Sequence, residues 1–383
     1  MLVLHGYLWF RLVRATTVAG RARRRLTVLT VVLAVLPAAA VIGRRVLPWS
    51  AQVPLDWVAY SWLGLALYAF LALLVLEPVR WLLNRRRRAM PAASGPGAVE
   101  APPDPSRRLF LARSLALTAG AVAVGTAGTG AVLANSAPVV RRVPIAIAGL
   151  DPALEGYRIV TFSDGHLSTT YGGGRFERLV ETVNAQRPDA VAIVGDLVDG
   201  ELHELREDVA PLADLVSGQG VYFVTGNHEY FVDTEAWLRH LPTLGVDVLR
   251  NERVPLGRGG VTFDLAGIDD RTAARSGLPG HGANLDAALD GRDDNVPLVL
   301  LAHQPVQVEQ ARAAGVDLQL SGHTHGGQLW PFDYAIRLDQ PAVEGLSRHG
   351  DTQLYVTAGA GYWGPPMRIG ARPEVTVIEL TRG

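Results

Sequence analysis

The stretch V-T-F-S-D-G-H, over 160–166, decides how the rest of the chain is read. Val160, Thr161 and Phe162 are residues that favour a buried strand, and the run stops on Asp164 and His166, one glycine apart. Both are metal-ligating types, and on extended backbone residues two apart point to the same side, so both are expected to reach one ion. The pattern of an apolar strand running into metal ligands recurs four times: I-V-G-D-L-V-D over 193–199, F-V-T-G-N-H-E over 223–229, L-L-A-H-Q-P over 300–305 and L-S-G-H-T-H-G-G-Q over 320–328. Any one of these could be an ordinary turn. Five in order, each closing a strand, point to a metal-binding hydrolase.

Further strands are expected over 143–147, 157–162, 190–194, 221–224, 261–265, 296–301, 318–320, 354–356 and 375–380, and helices over 176–186, 205–216, 235–241 and 306–313. Such alternation predicts an α/β domain whose sheet faces are covered by helices. In such sheets, sites form beyond the C-terminal ends of strands, where all five clusters fall.

The chain has 383 residues, a formal net charge of −1 and no cysteine. Near-neutral charge gives no field for a polyanion, and no nucleic-acid partner is expected. Lack of cysteine excludes disulfides, thiolate zinc sites and a cysteine nucleophile. The remaining nitrogen and oxygen ligands suit manganese, iron or zinc and argue against a calcium site built from oxygen alone. A carboxylate able to bridge, among Asp, Asn and His, is what a two-metal hydrolase needs, with ions roughly 3.5–4 Å apart. His5, His203, His240, His281 and His349 lie outside the clusters and read as surface or structural residues.

The first 137 residues differ. Region 1–88 carries two uncharged apolar runs, 26–42 and 57–76, each near the ~20 residues that span a bilayer. Arg21 and Arg23–Arg25 precede the first and Arg85–Arg88 follow the second, which predicts a hairpin with both flanks in the cytoplasm. Arg44 and Arg45 in the connecting loop run against that topology. Residues 1–20 suit an interfacial segment, with Tyr7, Trp9 and Phe10 at the boundary. Region 89–108 is a Pro/Ala/Gly-rich linker ending in the paired Arg107 and Arg108, which resembles a twin-arginine signal placed inside the chain. The weakly apolar region 109–137 is then expected to cross the membrane or act as an export signal. Its alternative is a linker helix on the cytoplasmic face.

Taken together, Asp-x-His, Gly-Asp-x-x-Asp, Gly-Asn-His-Glu, the lone His303 and Gly-His-Thr-His resemble the calcineurin-like metallophosphoesterase superfamily. The longer Ser321–Gln328 motif and the segment from Gly359 to Arg368 are similar to its membrane-associated bacterial phosphodiesterase branch. The resemblance covers about Val143–Leu380, within a domain expected over 138–383, and implies a four-layer αββα sandwich of two mixed sheets. It implies that Asp164, His166 and His325 hold one divalent metal, that Asp196 bridges, and that Asn227, His303 and His323 hold a second. It implies that His228 is no ligand but acts on the scissile phosphate, in hydrolysis by a water activated between the metals. Asp199 and Glu229 are expected to support ligands or cap backbone. Asp269 and Asp270 are expected either to line the pocket or to form a solvated turn, and Arg368, near Trp363, either to contact the phosphate or a headgroup or to be a surface arginine.

The resulting expectation is a multi-pass cell-membrane phosphoesterase whose catalytic domain faces outward and whose tether favours lipid or envelope phosphate esters. The alternatives are a metal-stabilised sensor module without turnover and a nucleotide phosphodiesterase facing the cytoplasm. Substrate identity, mono- or diesterase preference, metal identity and oligomeric state are not legible in the sequence.

Overall fold

The computed structural model describes residues 1–89 and 105–383; most of the expected linker, residues 90–104, lies outside that description. The chain divides into two compact units, one on Met1–Ala131 with Gly364–Pro366 and one on Val132–Trp363 with Met367–Gly383.

The first unit is helical: α1 (Leu2–Leu8), a π-helical turn (Trp9–Arg14), α2 (Arg21–Gly43), α3 (Trp49–Ala89) and α4 (Pro105–Ala134). Among the described residues, three stretches are helical, long and apolar enough to cross a membrane: Arg21–Gly43, Trp49–Leu83 and Arg107–Ala134. The expected runs fall inside α2 and α3, and the third segment is one unbroken helix with Arg107 and Arg108 in its first turn. Several buried polar groups here are paired, which offsets the cost of burying them. Gln52 donates to the Ala40 carbonyl at 2.9 Å and to Asp56 at 2.5 Å. Arg44, awkward in the sequence, lies 3.5 Å from Asp56 and so has a counter-charge. The N-terminal segment is docked on α3: Tyr7 and Arg11 each donate to Glu77 at 2.7 Å, and the Tyr7 ring meets Phe70 edge-on at 5.3 Å.

The second unit contains β1 (Val139–Ile147), β2 (Arg158–Phe162), α5 (Gly173–Asn184), β3 (Ala190–Val194), α6 (Leu202–Val209), β4 (Val221–Val224), α7 (Thr234–His240), β5 (Val246–Val248), β6 (Glu252–Arg258), β7 (Val261–Gly267), α8 (Leu285–Leu289), β8 (Leu298–Leu301), α9 (Val308–Ala313), β9 (Leu318–Ser321), α10 (Phe332–Ile336), β10 (Gly345–His349), β11 (Thr352–Val356) and β12 (Glu374–Arg382). They form two six-stranded mixed sheets, ordered β1-β12-β2-β3-β4-β5 and β10-β11-β9-β8-β7-β6. In the first sheet β2, β3, β4 and β5 run parallel, and β12 pairs antiparallel to β2 and parallel to β1. In the second, β7, β8, β9 and β11 are parallel, with antiparallel β6 and β10 at the edges.

Alternation along the strands builds the layers. Ile159, Ala190, Ala192 and Val194 of the first sheet meet Leu265, Val299, Leu301, Leu318 and Leu320 of the second in one core. Tyr157 and Phe263 stack edge-to-face across it at 5.0 Å. The intervening residues face helices: Phe162 meets Phe176 of α5, and Leu298 and Leu300 pack with Leu285 of α8 and Ala311 of α9. The expected sandwich of two mixed sheets is therefore what forms. The expected helix over 205–216 ends early, at Val209, because Pro211 enters a 3-10 turn there. Strands β6 and β10 escape the sequence reading because both are half-exposed edge strands, and β6 carries Pro255.

Candidate metal centre

The parallel strands β2, β3 and β4 of one sheet, and β8 and β9 of the other, all deliver their C-terminal ends to one place. There, three groups of side chains offer ligand atoms within 4.8 Å of one another: Asp164, His166 and His325; Asp196, His303 and His323; and His166, Asp196 and His228. His166 and His325 are 159 positions apart, yet their Nε2 atoms are 3.0 Å apart. Asp196 Oδ2 sits between the first two groups, 3.8 Å from His166 Nε2 and 3.2 Å from His303 Nε2.

The backbone of these loops departs from the extended form expected for the Asp-x-His and His-x-His pairs. Asp164, His166, Asp196, His323 and His325 all have positive φ, between 46° and 71°. Non-glycine residues there are strained, and surrounding structure must hold them. The paired side chains converge because each turns on its own left-handed kink, not because a strand alternates. Two glycines make room: a Cβ on Gly226 would overlap the Asp196 carboxylate, and one on Gly322 would overlap Ser163.

Several groups hold these kinks. Glu229 is buried, and its carboxylate accepts from the backbone N–H of Asp196 at 3.0 Å, Leu197 at 2.7 Å and Gly226 at 2.7 Å. Asp199 Oδ1 accepts from His166 Nδ1 at 2.9 Å and from His228 Nδ1 at 2.7 Å, fixing both rings with Nε2 toward the centre. Burial alone would raise the Asp199 pKa; the two histidines outweigh it and hold the carboxyl well below its usual range. His303 donates from Nδ1 to the Val194 carbonyl at 2.7 Å, so its Nε2 also faces inward. Burial, then the neighbouring His303, pushes His323 down to about 3, leaving a neutral ring with a lone pair to offer.

The donor set fits divalent metal. It combines carboxylate, amide and imidazole ligands with no sulfur. Asn227 Oδ1 and His303 Nε2 are buried without a hydrogen-bond partner, although His303 Nε2 is only 3.2 Å from Asp196. Unpartnered buried polar atoms are rare unless an ion or water completes them.

Two expectations are corrected. Arg368 is fully buried, not on the surface, and its donors are taken up by the protein itself. Its guanidinium donates to the carbonyls of Gly361, Ala358, Gly359 and His325 at 2.8 to 3.2 Å, and Nη2 lies 3.4 Å from His325 Nδ1. It ties the loop after β11 to the His325 turn. Asp269 and Asp270 do not form a solvated turn, since both are fully buried, and both carboxylates are engaged by protein donors. Asp269 takes a bidentate pair from Arg250 at 2.8 and 3.0 Å, and Asp270 accepts from Gln304, beside His303, at 2.9 Å.

Sequence reading missed Phe231. It sits three residues after His228 on a 3-10 turn, with its ring 5.2 Å from the His228 ring, while Trp363 approaches the same ring at 5.7 Å. The i, i+3 spacing was the available signal.

Comparisons with known proteins agree with this geometry. Residues 157–327 match the family model described as calcineurin-like phosphoesterase. A "Transmembrane protein with metallophosphoesterase domain" from Danio rerio is 42% identical over 258 residues, covering 66% of this chain and 59% of the relative. The protein of the same name from Bos taurus is 39% identical over 72% of this chain and 64% of the relative. An "Uncharacterized metallophosphoesterase" from Aquifex aeolicus is 33% identical over 58% of this chain and 84% of its own length. The chain thus spans less than two thirds of the two transmembrane relatives.

Proposed function

This chain belongs to the calcineurin-like phosphoesterase family, and from that premise we propose that it is a membrane-anchored, two-metal phosphoesterase, with a preference for diesters. The observation that carries the proposal is the shared position of Asp196 Oδ2 between two ligand groups, as a bridging carboxylate requires. Asp164, His166 and His325 would hold one ion, and Asn227, His303 and His323 the other. Divalent manganese, iron or zinc at such a site polarises phosphate oxygens and lowers the pKa of water.

The remaining work falls to side chains. His228 stands beside the bridging carboxylate, its Nε2 3.9 Å from Asp196 Oδ2 and its Nδ1 held by Asp199, placed to stabilise charge on the phosphate or to protonate the leaving oxygen. Glu229 keeps the loops after β3 and β4 rigid, so that little rearrangement accompanies the reaction. Phe231 and Trp363 flank His228 and limit water on the leaving-group side.

The substrate is proposed to be a phosphate ester presented at the bilayer, with the catalytic unit on the outer face of the cell membrane. The three apolar helices and the transmembrane relatives support the anchoring. The test of chemistry is hydrolysis of an aryl phosphodiester by the full chain in manganese. Asp196→Asn and His303→Ala are each expected to abolish it; full activity in both would overturn the two-metal mechanism, and bound metal without turnover in the parent chain would favour a sensor. Protease treatment of intact spheroplasts tests the topology: protection of the region after β1 would place it in the cytoplasm.

A further inference from the structure

We propose that the rim of the metal centre formed by Phe231, Trp330, Phe332, Tyr334, Leu338 and Trp363 seats in the interfacial layer of a lipid bilayer, so that the site opens onto lipid headgroups. All six belong to the catalytic unit and lie between 49% and 89% exposed. Large apolar side chains gathered in this way mark an interaction surface.

The residues adjoin one another through the loops that carry them. Gln328 donates to the Trp363 carbonyl at 2.8 Å and accepts from its N–H at 3.0 Å, and Trp330 N–H donates to the Ile369 carbonyl at 2.8 Å. The segment holding Trp330 to Leu338 is thereby stitched to the one holding Trp363. Trp363 and Phe231 in turn touch the ring of His228, so the apolar rim is continuous with the chemistry.

Three observations favour a bilayer as the occupant. Tryptophan and tyrosine are the residues that concentrate at membrane interfaces, with a ring in the apolar layer and a polar atom in the headgroups. Arg337 is exposed on the same segment, where it can meet lipid phosphate, whereas Asp333 Oδ1 is turned away from solvent and the exposed Asp339 has a counter-charge in Arg271 at 3.5 Å. Third, α4 ends at Ala134 and β1 begins at Val139. The five Cα–Cα steps from Ala134 to Val139 reach no further than roughly 18 Å when fully extended, so a catalytic unit tethered by an embedded α4 is held near the bilayer surface. This last point rests on the membrane anchoring proposed above.

The chain has no cysteine, so an introduced one is labelled uniquely. Phe332→Cys, Tyr334→Cys and, as a control, Asp294→Cys would each be made in the full chain and labelled with an environment-sensitive fluorophore. Asp294 is exposed and precedes β8, at the opposite end of that strand from His303. The labelled proteins would be reconstituted into phosphatidylcholine vesicles with a minority of phosphatidylglycerol. The expected result is blue-shifted emission at 332 and 334, quenched by nitroxide-labelled lipid and insensitive to aqueous iodide, with the reverse at 294. Iodide quenching at 332 and 334 equal to that at 294 would overturn the proposal. So would protection from iodide without quenching by lipid, which would assign the rim to a second copy or another protein. Flotation after alkaline wash separates the two readings: a chain that floats with wet probes refutes only the rim, and one that does not float refutes the anchoring and the rim together. Retained hydrolysis of a soluble aryl ester confirms that each labelled variant is folded.

Discussion

The two ligand groups of the centre are built differently. In the first, every member is braced from behind: His166 by Asp199, Asp164 by Ser163 and by the backbone N–H of His323 at 3.0 Å, and the His325 turn by Arg368. In the second, His303 is braced by the Val194 carbonyl, but its Nε2 and Asn227 Oδ1 have no hydrogen-bond partner, and His323 is partly exposed. The first group holds its geometry by protein contacts alone. The second is the one that an ion would complete. The difference teaches that one site can combine a half whose ligand atoms are engaged by protein with a half whose ligand atoms are left for an ion.

The largest effect is expected where the halves meet. Asp196→Asn removes the shared charge and should reduce both bound metal and aryl-ester hydrolysis to background, measured by elemental analysis and initial rates. If one ion stays tightly bound, Asp196 does not bridge. His303→Ala should strip the second group only, leaving about one ion per chain with aryl-ester hydrolysis abolished, since both ions are needed for the reaction. Loss of both ions would show that the halves are not independent. Graded chelation of the parent chain should likewise give two phases, the looser ion coming from the second group; a single phase would erase the contrast.

Asp199→Asn keeps the shape but weakens the acceptor behind His166 and His228, and a loss of about 10–100-fold in metal affinity or activity is expected. An unchanged affinity would mean that backbone strain, not Asp199, sets those rings. Arg368→Met should act mainly on stability. It strands several buried carbonyls, each worth about 1–3 kcal/mol, and should lower the melting temperature while leaving KM nearly unchanged. A raised KM with normal stability would restore Arg368 to the substrate side. The smallest effect is expected from Phe231→Ala, a few-fold change in kcat through looser packing on His228.

Much of this was legible because the signals are local. A strand ending in Asp, Asn or His is visible along a single stretch, and strand direction then dictates that all such ends share one edge. Glu229 and Asp199 could be placed as supports for a similar reason, since they lie within three positions of a ligand. Arg368 and the Asp269–Asp270 pair were misread because burial, which decides whether a charge is available, is not encoded in neighbouring residues.

The sequence by itself determined which residues could bind metal, that they close strands of an α/β domain, and that apolar helices precede it. Periodicity and residue chemistry suffice for that. Only the tertiary structure decided that His325 faces His166 across 159 positions, that five candidate ligands turn on left-handed backbone, and that the Arg368 guanidinium is committed to carbonyls. These depend on which distant segments the two sheets press together, and on the hydrogen bonds that a buried donor is then obliged to make.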